Sequence, residues 1–67
     1  MTINEAKTIT VGDTIIYRKD QLKRIVSSID QVIVGTRREI IFICKRGRKT
    51  ESIRHIDAVK VSETKVL

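Results

Sequence analysis

Three side chains of this 67-residue sequence are of types that form a nucleophile, a base and an orienting acid: Cys44, His55 and Asp57. Such a set works only when base and nucleophile lie within hydrogen-bonding reach inside a water-poor cleft. Cys44 ends the apolar run Ile40-Ile41-Phe42-Ile43-Cys44, where a free thiol behaves as a small buried hydrophobe. His55 and Asp57 fall in a short polar turn, where Asp typically satisfies backbone N–H groups. So short a chain leaves little volume for an enclosed cleft. No glycine-rich phosphate loop is present. One Cys with one His cannot complete a structural metal site. The sequence therefore predicts a protein that is not an enzyme, with no metal, cofactor or small-molecule substrate.

The chemistry that remains is electrostatic. Fourteen Lys/Arg oppose eight Asp/Glu, a net charge of +6. The excess is concentrated. Arg18 to Arg54 holds eleven basic and four acidic residues, +7, while the remainder holds three and four, −1. A concentrated positive field on a small domain is the footprint of a polyanion binder. The candidate nucleic-acid contacts are Lys23 and Arg24 beside the first loop, Arg37 and Arg38 at the next turn, and Lys45, Arg46, Arg48 and Lys49 around the third. Lys and Arg so placed hold phosphates of RNA or DNA and give affinity with little sequence specificity. Tyr17 completes the candidate set. It is the one aromatic free to stack on a base, since Phe42 belongs to the apolar run. The plain alternative is that these charges are solvated turn residues that keep an apolar set of strands soluble.

Those strands are legible in the residue types. Ile and Val number 19, against two Leu and two Ala, and Thr adds seven β-branched residues. Branching at Cβ suits a pleated, half-buried surface. Asp13 to Arg18 predicts a first strand after the turn at Gly12. Leu22 to Val34 predicts either one bent strand or two, with a bulge or bend at Ser27-Ser28. Gly35 to Arg38 reads as a turn, and Glu39 to Lys45 is the strongest strand. Arg46 to Lys49 closes a hairpin through a three- to five-residue loop with Gly47 left-handed. Lys49 to Arg54 returns, His55 to Asp57 suits a single 3-10 turn, and Ala58 to Val61 is a last short strand. Residues 1–9 form a mobile lead-in with at most a weak helical turn, 10–61 the domain, and 62–67 a loose tail.

Apolar residues on both faces of Ile40 to Ile43 call for cover on both sides. A closed barrel with a loop over its outer face supplies it, as does a partner. Hence a second reading: a homodimer, or a protein-interaction module docking on an acidic partner surface. Dimerisation would also help a chain whose length buries only about 60% of its unfolded surface.

Five short strands, a basic hairpin and a 3-10 turn before the last strand resemble the SH3-like small β-barrel, within it the Tudor and KOW-type modules. The resemblance rests on Val11-Gly12-Asp13 leading into Ile15-Ile16-Tyr17, on Leu22 to Ile29, on Phe42 to Gly47 followed by Glu51-x-Ile53, and on His55-Ile56-Asp57 before Ala58 to Val61. It implies an all-β, five-stranded barrel over about residues 10 to 61. The Tudor cage for methylated Lys or Arg needs several aromatic rings. With only Tyr17 and Phe42, the resemblance implies a KOW-like role on RNA or the transcription machinery instead. A similar barrel occurs among short phage- and plasmid-type accessory proteins, and a phage accessory or host-directed regulatory protein would be one example of the interaction reading. A single Cys, no apolar N-terminal segment and no apolar run near ~18 residues predict a soluble cytoplasmic protein without a membrane partner.

Overall fold

The strands form where the β-branched residues concentrate. A computed structural model describes residues 1–61 and gives β1 (Thr14–Tyr17), β2 (Lys23–Val34), β3 (Arg37–Arg46), β4 (Lys49–Arg54) and β5 (Ala58–Lys60). One helical turn, α1 (Ile3–Ala6), precedes them, and a 3-10 turn (His55–Asp57) separates β4 from β5. All pairings are antiparallel, in the order β4-β3-β2-β1-β5. The chain is thus mostly β, with five strands and the expected 3-10 turn. β4 and β5 are the two margins of the sheet, and among the described residues the 3-10 turn, not a ladder, links them.

The stretch left open between one strand and two is a single bent strand of 12 residues. Its first residues pair with β1, from Ile16↔Lys23 to Thr14↔Ile25. The rest pairs with β3, from Val26↔Cys44 to Val34↔Arg37, with a shift of register between Val26 and Ser28. The extra residue there turns the strand, as a bulge does. Ser27 Oγ fixes the bend by donating to the Ile43 carbonyl at 2.9 Å. On the other side, Gly12 N donates to the Val26 carbonyl at 2.8 Å and Val26 N donates to the Asp13 carbonyl at 2.9 Å.

The core follows from the two-residue period of strands. Ile40, Phe42 and Cys44 face inward with Ile15, Val26 and Ile53, and none is more than 2% exposed. Ile41 and Ile43 point outward and are half-buried. The run apolar on both faces is therefore sealed on one. Residues 1–9, expected as a mobile lead-in, lie against the sheet, with Ala6 and Ile9 in the core. Thr2 caps α1: its hydroxyl accepts from Glu5 N, and the Glu5 carboxylate accepts from Thr2 N. The Met1 nitrogen donates to the carbonyls of Ala58 (2.7 Å) and His55 (3.1 Å). The expected tail, 62–67, lies outside the described residues.

Both hairpin turns are tighter than expected. Arg46 pairs with Lys49 across a two-residue turn, Gly47-Arg48, and Val34 pairs with Arg37 across Gly35-Thr36. Gly47 and Gly35 have φ of 62° and 64°. Glycine first and left-handed is the pattern of the type II′ turn, whose twist matches that of the strands. Arg37 and Arg38 thus belong to β3 and not to a turn.

Phe42 lies at the centre of this core with 0% exposure. Phe42→Ala should lower stability by about 3–5 kcal/mol, a large share of a small domain's total. Urea unfolding should show a much lower midpoint or no cooperative transition. An unchanged midpoint would contradict the assigned core.

Candidate nucleic-acid interface

In an antiparallel meander, alternate connections fall at the same end. The β1–β2 loop (18–22) and the β3–β4 turn (47–48) share one end of the sheet, and the β2–β3 turn (35–36) lies at the other. This divides the expected contact residues. Lys23, Lys45, Arg46, Arg48 and Lys49 gather at the first end, all exposed. Arg37 and Arg38 stand at the opposite end, also exposed. Arg38 and Arg46 are separated by eight residues of extended strand, about 27 Å at ~3.4 Å per residue. The two groups do not form one stripe.

At the first end the strands leave an open cleft of about 380 Å³, lined by Leu22, Lys23, Arg24, Ile25, Lys45 and Arg46. Among the described residues no acidic side chain lines it. Leu22 and Ile25 give it an apolar floor, and they were not among the expected contacts. Only the register of β2 on β3, which local sequence does not encode, shows that they adjoin Lys45.

Arg24 departs from the expected set. Its side chain is 4% exposed and its guanidinium is used inside the molecule. Nε donates to Glu51 at 2.8 Å, an Nη donates to Asp20, and the other Nη donates to the Lys23 carbonyl at 3.3 Å. The hydrogen bonds it donates to Asp20 and Glu51 hold its pKa above the usual arginine range. A guanidinium with its donors so engaged is not free for phosphate. Tyr17 is half-buried, and its ring centroid lies 5.7 Å from the Arg24 guanidinium carbon. One face of the only candidate stacking ring is therefore occupied. Asp20 also shapes the loop: its carboxylate accepts from Leu22 N at 2.9 Å, beside Gln21 at φ 61°. That backbone bond, followed by the Arg24 contact, holds the Asp20 carboxyl below its usual range.

A second ion pair braces the outer side. Arg54 grips Glu39 with two parallel bonds, Nε to Oε1 at 3.1 Å and Nη2 to Oε2. Glu39 is 7% exposed in its side chain, and the Arg54 hydrogen bond outweighs burial and lowers its pKa. Lys23, Arg37, Arg38, Lys45, Arg46, Arg48 and Lys49 form no such pair among the described residues.

Of the residues of catalytic type, Cys44 and His55 are engaged in the fold through their side chains and Asp57 through its backbone. Cys44 is fully buried, and burial pushes its thiol up. His55 Nδ1 accepts from Ile40 N at 3.2 Å. The Asp57 carbonyl accepts from Arg18 N at 2.9 Å, tying the end of β1 to the 3-10 turn. Among the described residues no three His, Cys, Asp or Glu could hold a metal ion, and no helix is long and apolar enough to cross a membrane. The sequence matches no family model, and no significant relative was found among curated proteins or solved structures.

The Glu39 and Asp20 carboxyls both sit below their ordinary range when folded. Their contribution to stability is present above the unfolded carboxyl pKa of about 4 and is lost as pH falls through the lowered folded values. Thermal unfolding should therefore show a melting temperature that drops on acidification below about pH 4.5. Glu39→Gln should melt lower than wild type at pH 7 and lose part of that slope. A variant with the wild-type acid slope would show that the pair carries no linkage.

Proposed function

We propose that this protein is a small, non-enzymatic nucleic-acid contact module, and that its principal contact is the basic end formed by the start of β2 and the β3–β4 turn. The observation that carries this reading is the convergence there of Lys23, Lys45, Arg46, Arg48 and Lys49, exposed and, among the described residues, unopposed by any carboxylate lining the cleft. Four cations on strand ends, with Arg48 in the turn between β3 and β4, form a phosphate-holding surface. Leu22 and Ile25 offer an apolar floor without hydrogen-bonding groups in their side chains. With Tyr17 packed beneath Arg24 and Arg24 spent on Asp20 and Glu51, the surface has little means of reading bases. The ligand is held mainly through its phosphates, with little sequence specificity.

The strand order and the 3-10 turn before β5 support a small barrel of the SH3-like kind. Within that group a KOW-type role fits better than Tudor-type methyl recognition, since no set of free aromatic rings exists to build a cage. A cytoplasmic setting, with access to RNA or DNA, goes with this reading.

A protein partner or a second copy is the competing reading. It draws on the outer face, where Ile25 is 62% exposed and Ile41 and Ile43 are half-buried. Sedimentation separates the two, because a stable dimer or co-purifying acidic protein favours the second.

For the first reading, binding to mixed-sequence DNA and RNA should weaken log-linearly with salt. Replacing Arg46, Arg48 and Lys49 together by Gln should reduce the magnitude of that slope by about 2 to 3, since each phosphate contact contributes ~0.7–0.9. The melting temperature should stay close to wild type because all three are exposed. Salt-insensitive binding, or none to either polymer, would overturn the reading.

A further inference from the structure

The far end of the β2–β3 hairpin is a different kind of surface. β1 last pairs with β2 at Ile25, and β4 last pairs with β3 at Ile41. Among the described residues the rungs Ile33↔Arg38 and Val34↔Arg37 therefore have no third strand beside them and form a free two-stranded ribbon. The next rung, Val32↔Glu39, is held at the base by the Arg54–Glu39 pair. Two rungs project about 7 Å at ~3.4 Å per residue, before the turn itself.

The composition of this ribbon is not that of an ordinary solvated turn. Ile33 is 74% exposed and Val34 49% exposed. Each lies directly across from an exposed arginine, Arg38 and Arg37. From Gln31 to Arg38 there is no acidic residue. Natural sheets usually guard such ends with charged or very short strands. Here two β-branched side chains stand in water beside two guanidinium groups that form no ion pair among the described residues, one such set on each face. That combination complements a surface with phosphates at its rims and apolar base edges at its floor.

We propose that this ribbon enters the major groove of duplex DNA end-on, and that the protein thereby bridges two nucleic-acid segments. The proposal rests on the phosphate-contact reading above and adds a second, opposed contact. The major groove of B-form DNA is about 12 Å wide and ~8.5 Å deep and admits a two-stranded ribbon. Two strands ~4.8 Å apart fit that width, and the two free rungs, about 7 Å, with the turn beyond them reach that depth. The deep, narrow major groove of RNA duplexes does not admit them. Arg37 and Arg38 meet phosphates at the two rims, while Ile33 and Val34 meet base edges such as thymine methyl groups. The geometry then fixes the role of the other end. With the tip in a groove, Arg46, Arg48 and Lys49 stand about 27 Å back along β3 and face away from that duplex. Their phosphates belong to a second segment.

The test uses the full chain with two 30-base-pair DNA duplexes, one on beads and one fluorescent. Capture of the second duplex is measured beside anisotropy with a single duplex. Wild type should capture the second duplex. Arg37→Gln with Arg38→Gln, and separately Ile33→Ser with Val34→Thr, should reduce capture roughly tenfold or more while anisotropy still reports the contact of the other end. All four residues are exposed, so circular dichroism should be unchanged. Capture at wild-type level by both tip variants overturns the bridge and leaves the proposed function standing. So does a wild type that binds one duplex and captures no second. Equal capture of duplex RNA through the same residues overturns the groove assignment. A wild-type dimer that Ile33→Ser with Val34→Thr converts to monomer, with capture lost in parallel, assigns the tip to a protein interface and overturns it too. No binding in anisotropy at all removes both readings, and is told apart by that measurement alone.

Discussion

One strand has to serve two ladders, and the rest of the structure depends on how it does so. β2 pairs with β1 up to Ile25 and with β3 from Val26 onward, with the bulge just after the changeover. A straight strand of 12 residues would carry β1 away from β3, leaving Ile15 and Phe42 on surfaces that do not meet. The extra residue at the serine pair turns the strand, so that both sides contribute to one core. Small side chains suit that position, and the Ser27 hydroxyl takes up a carbonyl that the irregular ladder could otherwise leave unmatched.

The same bend explains Arg24. Before the bulge, Arg24 and Val26 share the inward face, while Lys23 and Ile25 face out. A guanidinium directed inward at the open end of a core must be matched, because an unpaired buried charge is costly. Asp20, Glu51 and the Tyr17 ring match it from three parts of the chain. It thereby draws the β1–β2 loop, β2 and β4 together beneath the basic rim. One cation is given up to structure, and its neighbours Lys23, Lys45 and Arg46 are held on a rigid base.

Much of the fold is legible in residue order, for a physical reason: β-branched runs and glycine turns are local signals. The strong strand around Phe42, the weak point at Ser27-Ser28 and the 3-10 turn at His55 all follow from neighbours in sequence. What is not legible depends on register. Arg24 reads like Arg46 in the sequence, and only the placement of Glu51 across β3 from Cys44 shows that one is enclosed and the other free. Arg37 and Arg38 likewise look continuous with Arg46 and Arg48 until the meander sets them at opposite ends. The N-terminal residues lack a clear period because a single capped turn is too short to show one. Their burial depends on Ala6 and Ile9 finding a gap between strands that lie far away in sequence.

The flank of β2 that pairs with no strand among the described residues has a bearing on how this chain behaves in a crowded solution. Beyond the bulge, Ser28 to Val34 offers a backbone edge with Asp30 as its single charge, and it includes the strip Val32-Ile33-Val34. Such strips template the addition of identical strands and start aggregates. Arg37 and Arg38, on the adjoining strand, act as gatekeepers, and the net charge of +6 sets whole molecules against one another. The arginines at the tip therefore protect colloidal stability as well as presenting charge. High ionic strength weakens that protection by screening, so salt erodes the barrier that keeps copies of this hairpin apart.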